Sequence, residues 1–98
     1  MITRGDIPIA QQAVQAAHAA VEHAYIFGRP ANHHPTLVHV TVEDKTELYA
    51  WLTYLTSISL NCSSFEEPHK NWGLTAIACS VPSDLRALFK HLPLWKIN

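Results

Sequence analysis

Gln11, Gln15, His18 and Glu22 are spaced four, three and four apart. On a helix turning about 100° per residue they form one polar stripe. The plain alternative is a solvated face, but such faces are usually rich in Lys and Glu. Two amides and an imidazole suit hydrogen bonding to a ligand better. A second group, Glu66, Glu67, His69 and Lys70, places four ionisable side chains within five positions. Carboxylates, and an imidazole that titrates near pH 6.5, are the groups of general-base chemistry at neutral pH. A solvated turn would use the same residue types.

Other chemistries find less support. The seven histidines are His18, His23, His33, His34, His39, His69 and His91, with no HExxH and no CxxC among them. The adjacent pair His33-His34 does not easily serve one ion, so neither a metal centre nor a cofactor is expected. No GxGxxG, P-loop or GxSxG pattern is present. Two cysteines, Cys62 and Cys79, are too few for a disulfide framework and read as intracellular thiols. Trp51 is expected in the core, with Trp72 and Trp95 partly exposed.

The elements that must position these groups follow from periodicity. A helix is expected over Ile7–Phe27, with Asp6 as N-cap, Pro8 in its first turn, and Gly28 then Pro30 as its stop. Ala10, Ala13, Val14, Ala17, Val21, Ala24 and Tyr25 recur at helical spacing and are expected to be its buried stripe. The segment 28–35, with two prolines and a glycine, reads as a loop and is the best candidate for a mobile or substrate-facing segment. Thr36–Glu43 reads as a strand with Val38, Val40 and Val42 on one face. Asp44, followed three residues later by Glu47, caps a second helix buried through Leu48, Trp51, Leu52 and Leu55. Leu60–Glu66 and Leu74–Val81 read as strands, and a last helix starts at Pro82-Ser83 and buries Leu85, Leu88, Phe89 and Leu92. Alternating strands and helices imply an α/β sheet, while the short link between the last two strands implies an antiparallel pair and hence a mixed sheet.

Length and composition bound these readings. The chain has 98 residues, enough for one core and one domain over 1–98. It is 48% hydrophobic and 15% charged, which is too apolar for disorder. Seven basic against eight acidic residues leave a net charge of −1, without the excess of a broad basic nucleic-acid face. No apolar run approaches the roughly 18 residues of a membrane span, and the start has no signal-peptide core, so a cytoplasmic protein with no membrane partner is expected.

Arg4-Gly5-Asp6, followed by the run Ala13 to Val21 with Gln15, His18, Ala19 and Ala20, resembles the type 2 peptidyl-tRNA hydrolase family. Phe65-Glu66-Glu67-Pro68, Leu74 to Ala78 and Pro82 to Lys90 are similar to its divergent branch, the peptidyl-tRNA hydrolase domain-containing proteins. The resemblance covers nearly the whole chain in order. It implies a single domain with a four-stranded mixed sheet flanked by helices, tRNA as ligand, and a role in translation. The implied reaction is hydrolysis of the ester between a peptidyl or aminoacyl group and tRNA. The implied site comprises Gln11, Gln15, His18, Glu66, Glu67 and His69, with Gln11 standing where the family usually has lysine. The family's acidic residue falls at Glu66 or Glu67, and its following threonine has no counterpart before Thr75, inside the next strand. Two readings follow: a hydrolase, or a catalytically degenerate binding module of the same fold that contacts RNA or a protein. The oligomeric state stays open, a homodimer included.

Overall fold

The structure, a computed structural model, describes residues 1–28 and 36–97. The segment 28–35 read as a loop, with His33 and His34, therefore lies outside the described residues beyond Gly28. The elements are β1 (Ile2–Arg4), α1 (Ile9–Phe27), β2 (Val40–Val42), α2 (Lys45–Ser57), β3 (Cys62–Glu67) and β4 (Gly73–Cys79), followed by a 3-10 helix at Ser83–Phe89. The expected α/β order and mixed sheet are present. The four strands run β2-β1-β4-β3, with β1 parallel to β2 and antiparallel to β4, and β3 antiparallel to β4. Among the described residues no helix is long and apolar enough to cross a membrane.

Each face of the sheet carries one α-helix. α2 covers the face built from Ile2, Val40, Val42, Leu74 and Ile77, and buries Leu48 and Leu55 there completely. Its start follows the sequence expectation: Asp44 accepts from the Glu47 N–H at 2.9 Å, and Glu47 accepts from the Glu43 N–H at 2.9 Å. Phe89 of the 3-10 segment stacks on Trp51 at 5.3 Å. Leu85, Leu88, Phe89 and Leu92 are half-buried, and the expected last α-helix is this tighter 3-10 turn. β2 is an outer strand closed by the chain's end. Thr41 N–H donates to Pro93 C=O at 3.0 Å, and Trp95 N–H to His39 C=O at 2.8 Å. Pairing an edge in this way removes a template for unwanted strand addition.

α1 lies on the other face, rotated from its expected orientation. Its buried residues are Gln12, Gln15, Ala16 and Ala19. The stripe expected in the core faces outward: Ala10, Ala17 and Ala24 are exposed, as are Val14 (45%), Val21 (69%) and Tyr25 (87%), and only Ala13 is half-buried. The reason is steric and polar together. The sheet presents Ala76 and Ala78 beneath Ala19, so the helix axis comes close and only small side chains fit. The two buried amides both find partners, which removes most of the cost of burying them. Helix N-capping also differs. Pro8 is the capping residue, and Asp6 instead forms a two-point ion pair with Arg4 at 2.6 and 2.8 Å. Gln12 donates back to the Ile7 and Gly5 carbonyls at 2.8 and 3.3 Å and ties the β1–α1 turn. Val38, expected inside with Val40 and Val42, is 48% exposed because β2 begins only at Val40.

Candidate functional site

The site forms where α1 crosses the β3–β4 pair. The register of that pair shifts between Phe65 and Glu66: Phe65 pairs with Ala76 and Glu66 with Leu74, which leaves Thr75 as an extra residue on β4. A bulge of this kind re-aims a side chain. Here it turns Thr75 toward α1, where its hydroxyl donates to Gln15 Oε1 at 2.7 Å, with the Phe65 carbonyl 3.3 Å away. Gln15 is 1% exposed and Thr75 is fully buried. The Gln15 Nε2 group points to Glu67 Oε2 at 3.5 Å. A carboxylate only accepts, so the amide NH2 must face Glu67 and its oxygen must face the hydroxyl. Glu67 Oε1 accepts from the His69 backbone N–H at 3.1 Å. The chain Thr75–Gln15–Glu67–His69 thus joins a helix, two strands and the following turn.

His18 lies one turn further along α1. Its ring is exposed and stacks flat on Phe65, with centroids 4.4 Å apart and planes 5° from parallel. Gln11 is half-buried one turn before Gln15, and Glu22 is exposed beyond His18. Glu66 is not part of the cluster. It alternates to the opposite face, where the Tyr49 hydroxyl of α2 donates to it at 3.3 Å. His69 contributes its backbone N–H, and its exposed ring extends from the turn. The structure therefore brings Gln15, Glu67 and His18 onto one face and separates Glu66 from them.

Positive charge gathers at the same end of the sheet. Arg4 Nη1 donates to the Trp72 carbonyl at 2.6 Å, and Lys70 Nζ sits 5.5 Å above the Trp72 ring. The Lys45 stem lies against Gly73, so close that a Cβ there would meet its Nζ at 3.5 Å. Asp6 raises the Arg4 pKa through its hydrogen bond, and Arg4 lowers that of Asp6. The turn that carries Lys70 is left-handed at two successive side-chain-bearing residues, Lys70 (φ 61°) and Asn71 (φ 57°), and again at Gly73 (φ 68°). Left-handed backbone is costly for residues with a Cβ, and such strain tends to gather at binding sites.

Two residues are placed by the structure where the sequence gives no reason to put them. Thr75 sits inside a strand of small apolar residues, and nothing in that run signals the bulge. From the sequence His23 reads as one histidine among seven. It bridges Ser63 Oγ (3.1 Å) and Ser80 Oγ (2.7 Å), clamping α1 to β3 and to the segment after β4, and burial lowers its pKa. Two open grooves lie elsewhere. One of about 370 Å³ is lined by Ser59 to Asn61 and Ser80 to Pro82, and one of about 530 Å³ is lined by residues including Asp6, Glu43 and His91. Neither is lined by Gln15, Glu67 or Thr75. Among the described residues no group of three or more His, Cys, Asp or Glu side chains could hold a metal ion. Compared with known proteins, the chain matches no family model, no curated protein and no solved structure.

Proposed function

We propose that this chain is a peptidyl-tRNA hydrolase-like domain that cleaves the ester between a peptidyl or aminoacyl group and the ribose of tRNA. The observation that carries this reading is the buried Gln15 amide held between the Thr75 hydroxyl and the Glu67 carboxylate. In this reading Glu67 takes a proton from the attacking water, because it is the carboxylate on the α1 face. The water oxygen bonds to the ester carbonyl carbon; the bond from that carbon to the ribose oxygen then breaks as Glu67 returns the proton to that oxygen, which leaves as the ribose hydroxyl. Gln15 and the His69 N–H hold the Glu67 carboxylate in place. The exposed edge of His18 donates to the substrate or to the developing oxyanion. Lys45 and Lys70, beside Gly73 and Trp72, face the phosphates of the tRNA acceptor end, while Arg4 is held by Asp6 and the Trp72 carbonyl.

Gln11 supplies hydrogen bonds without the charge of the lysine expected there, so turnover is slow. Loss of one such contact costs about 100- to 1,000-fold in rate. A time course of peptidyl-tRNA cleavage tests the proposal. The wild type is expected to turn over slowly, Gln11→Lys faster, Glu67→Gln not at all, and Glu66→Gln like the wild type. Wild-type turnover that survives both Glu67→Gln and His18→Ala overturns the assigned roles. The second reading, a binding module, is favoured by Gln11, which stands where the charge of a lysine is expected. It prevails if wild type and Gln11→Lys are both inert and the chain binds RNA or a protein tightly.

A further inference from the structure

Cys62 and Cys79 are far apart in the chain, yet they are direct register partners, Cys62 opening β3 and Cys79 closing β4. One pair further out, Ser80 N–H donates to Asn61 C=O at 3.0 Å. Hydrogen-bonded and non-hydrogen-bonded pairs alternate along an antiparallel ladder, so Cys62 and Cys79 form a non-hydrogen-bonded pair. The Cα atoms of such pairs lie about 4.5 Å apart with both side chains on one face, within the span that a disulfide bridges. The two Sγ atoms are 2.7 Å apart, and both residues are half-buried at the margin of the α2-side core.

We propose that Cys62 and Cys79 are a redox modification site, closing a reversible intramolecular disulfide that staples β3 to β4. The pair is symmetric in the ladder and both thiols are half-buried, so either thiolate attacks and the other resolves, Cys62 serving here as the attacker. The oxidant class is a small-molecule disulfide such as oxidised glutathione. The Cys62 thiolate attacks one of its sulfurs, the external S–S bond breaks, and one glutathione thiolate leaves. Cys79 then gives its proton to solvent and attacks the Cys62 sulfur, which expels the second glutathione. Two protein thiols are oxidised and one external disulfide is reduced to two thiols. The staple sits at the end of the strand pair remote from Glu67, so it rigidifies the strands that carry Phe65, Glu67 and Thr75 without touching those side chains. The proposal does not depend on the hydrolase reading.

The test equilibrates the full chain with oxidised glutathione, blocks remaining thiols by alkylation, and records intact mass, a non-reducing gel and a melting curve. The expected product is an unalkylated monomer lighter by two hydrogens. Its melting temperature is expected to rise by on the order of 10 °C and to fall back with dithiothreitol. Cys79→Ser and Cys62→Ser, each left without a resolving thiol, are each expected to trap one glutathione on the remaining cysteine. A wild-type chain that remains doubly alkylated, that links only between molecules, or that gains no thermal stability on oxidation overturns the proposal.

Discussion

At the scale of single residues, the hydrogen bond between Thr75 and Gln15 has the clearest energetic consequence. Thr75→Val keeps the shape and removes the donor, leaving Gln15 Oε1 buried without a partner. The expected loss is about 1–3 kcal/mol in urea denaturation, against a change within about 0.5 kcal/mol for Glu66→Gln, whose partner Tyr49 is exposed. His39 provides a pH signature. Its ring lies 2.8 Å from the Thr3 hydroxyl and stacks on Trp95, and burial, then the chain's ammonium terminus, lowers its pKa from 6.5 to about 4. Between pH 6.5 and 4 the unfolded chain therefore binds a proton that the folded chain does not, and stability falls as pH drops through that window. Below about pH 4 both states are protonated and this contribution stops changing. The slope stays below the roughly 1.4 kcal/mol per pH unit of one full proton, because the ring is half exposed. Denaturation midpoints measured across pH 4–7 for wild type and His39→Gln check this, with a flatter profile expected for the variant.

At the scale of elements, the rotation of α1 decides which side chains meet the sheet. Val14 and Val21 face outward, so Val14→Glu and Val21→Glu are expected to change stability by no more than about 0.5 kcal/mol. Ala19 is fully buried against Ala76 and Ala78, and Ala19→Leu is expected to cost about 1–3 kcal/mol by overpacking. The same chemical denaturation series measures both. A large loss for Val21→Glu, with none for Ala19→Leu, would place the opposite face of α1 on the sheet. The rotation also explains the candidate site. Turning Gln15 inward brings its amide to Thr75 and Glu67, and leaves His18 at the helix margin on Phe65.

For the whole molecule, the net charge of −1 and the placing of Lys45 and Lys70 at one end of the sheet, with Arg4 neutralised by Asp6, set the character of any RNA contact. Two such lysines meeting single-stranded phosphates give a slope of log affinity against log salt of roughly −1.4. Titrations with a tRNA acceptor-end RNA between low and physiological salt are expected to show that shallow dependence, and Lys70→Gln is expected to lower it by a little under one. A slope several times steeper would mean a broader basic contact than these residues supply.

The α/β class, the order of elements, the antiparallel β3–β4 pair and the buried face of α2 are legible in the amino-acid sequence. Each rests on a local signal: alternation in Val40–Val42, the Asp44–Glu47 cap, the short link before Gly73, and Leu48 and Leu55 at helical spacing. Local signals carry such features because chain stereochemistry and nearby partners set them. The rotation of α1, the choice of Glu67 over Glu66, the entry of Thr75 into the site and the pairing of Cys62 with Cys79 were decided by tertiary structure alone. α1 has alanines on both sides, so hydropathy favours the valine face, while close packing on Ala76 and Ala78 and the bonds available to Gln12 and Gln15 favour the other. The bulge decides Thr75, because one extra residue in β4 turns it to the face that Ala76 also occupies; which face of β3 meets α1 decides Glu67 over Glu66, and the register of β3 against β4 decides the cysteine pair.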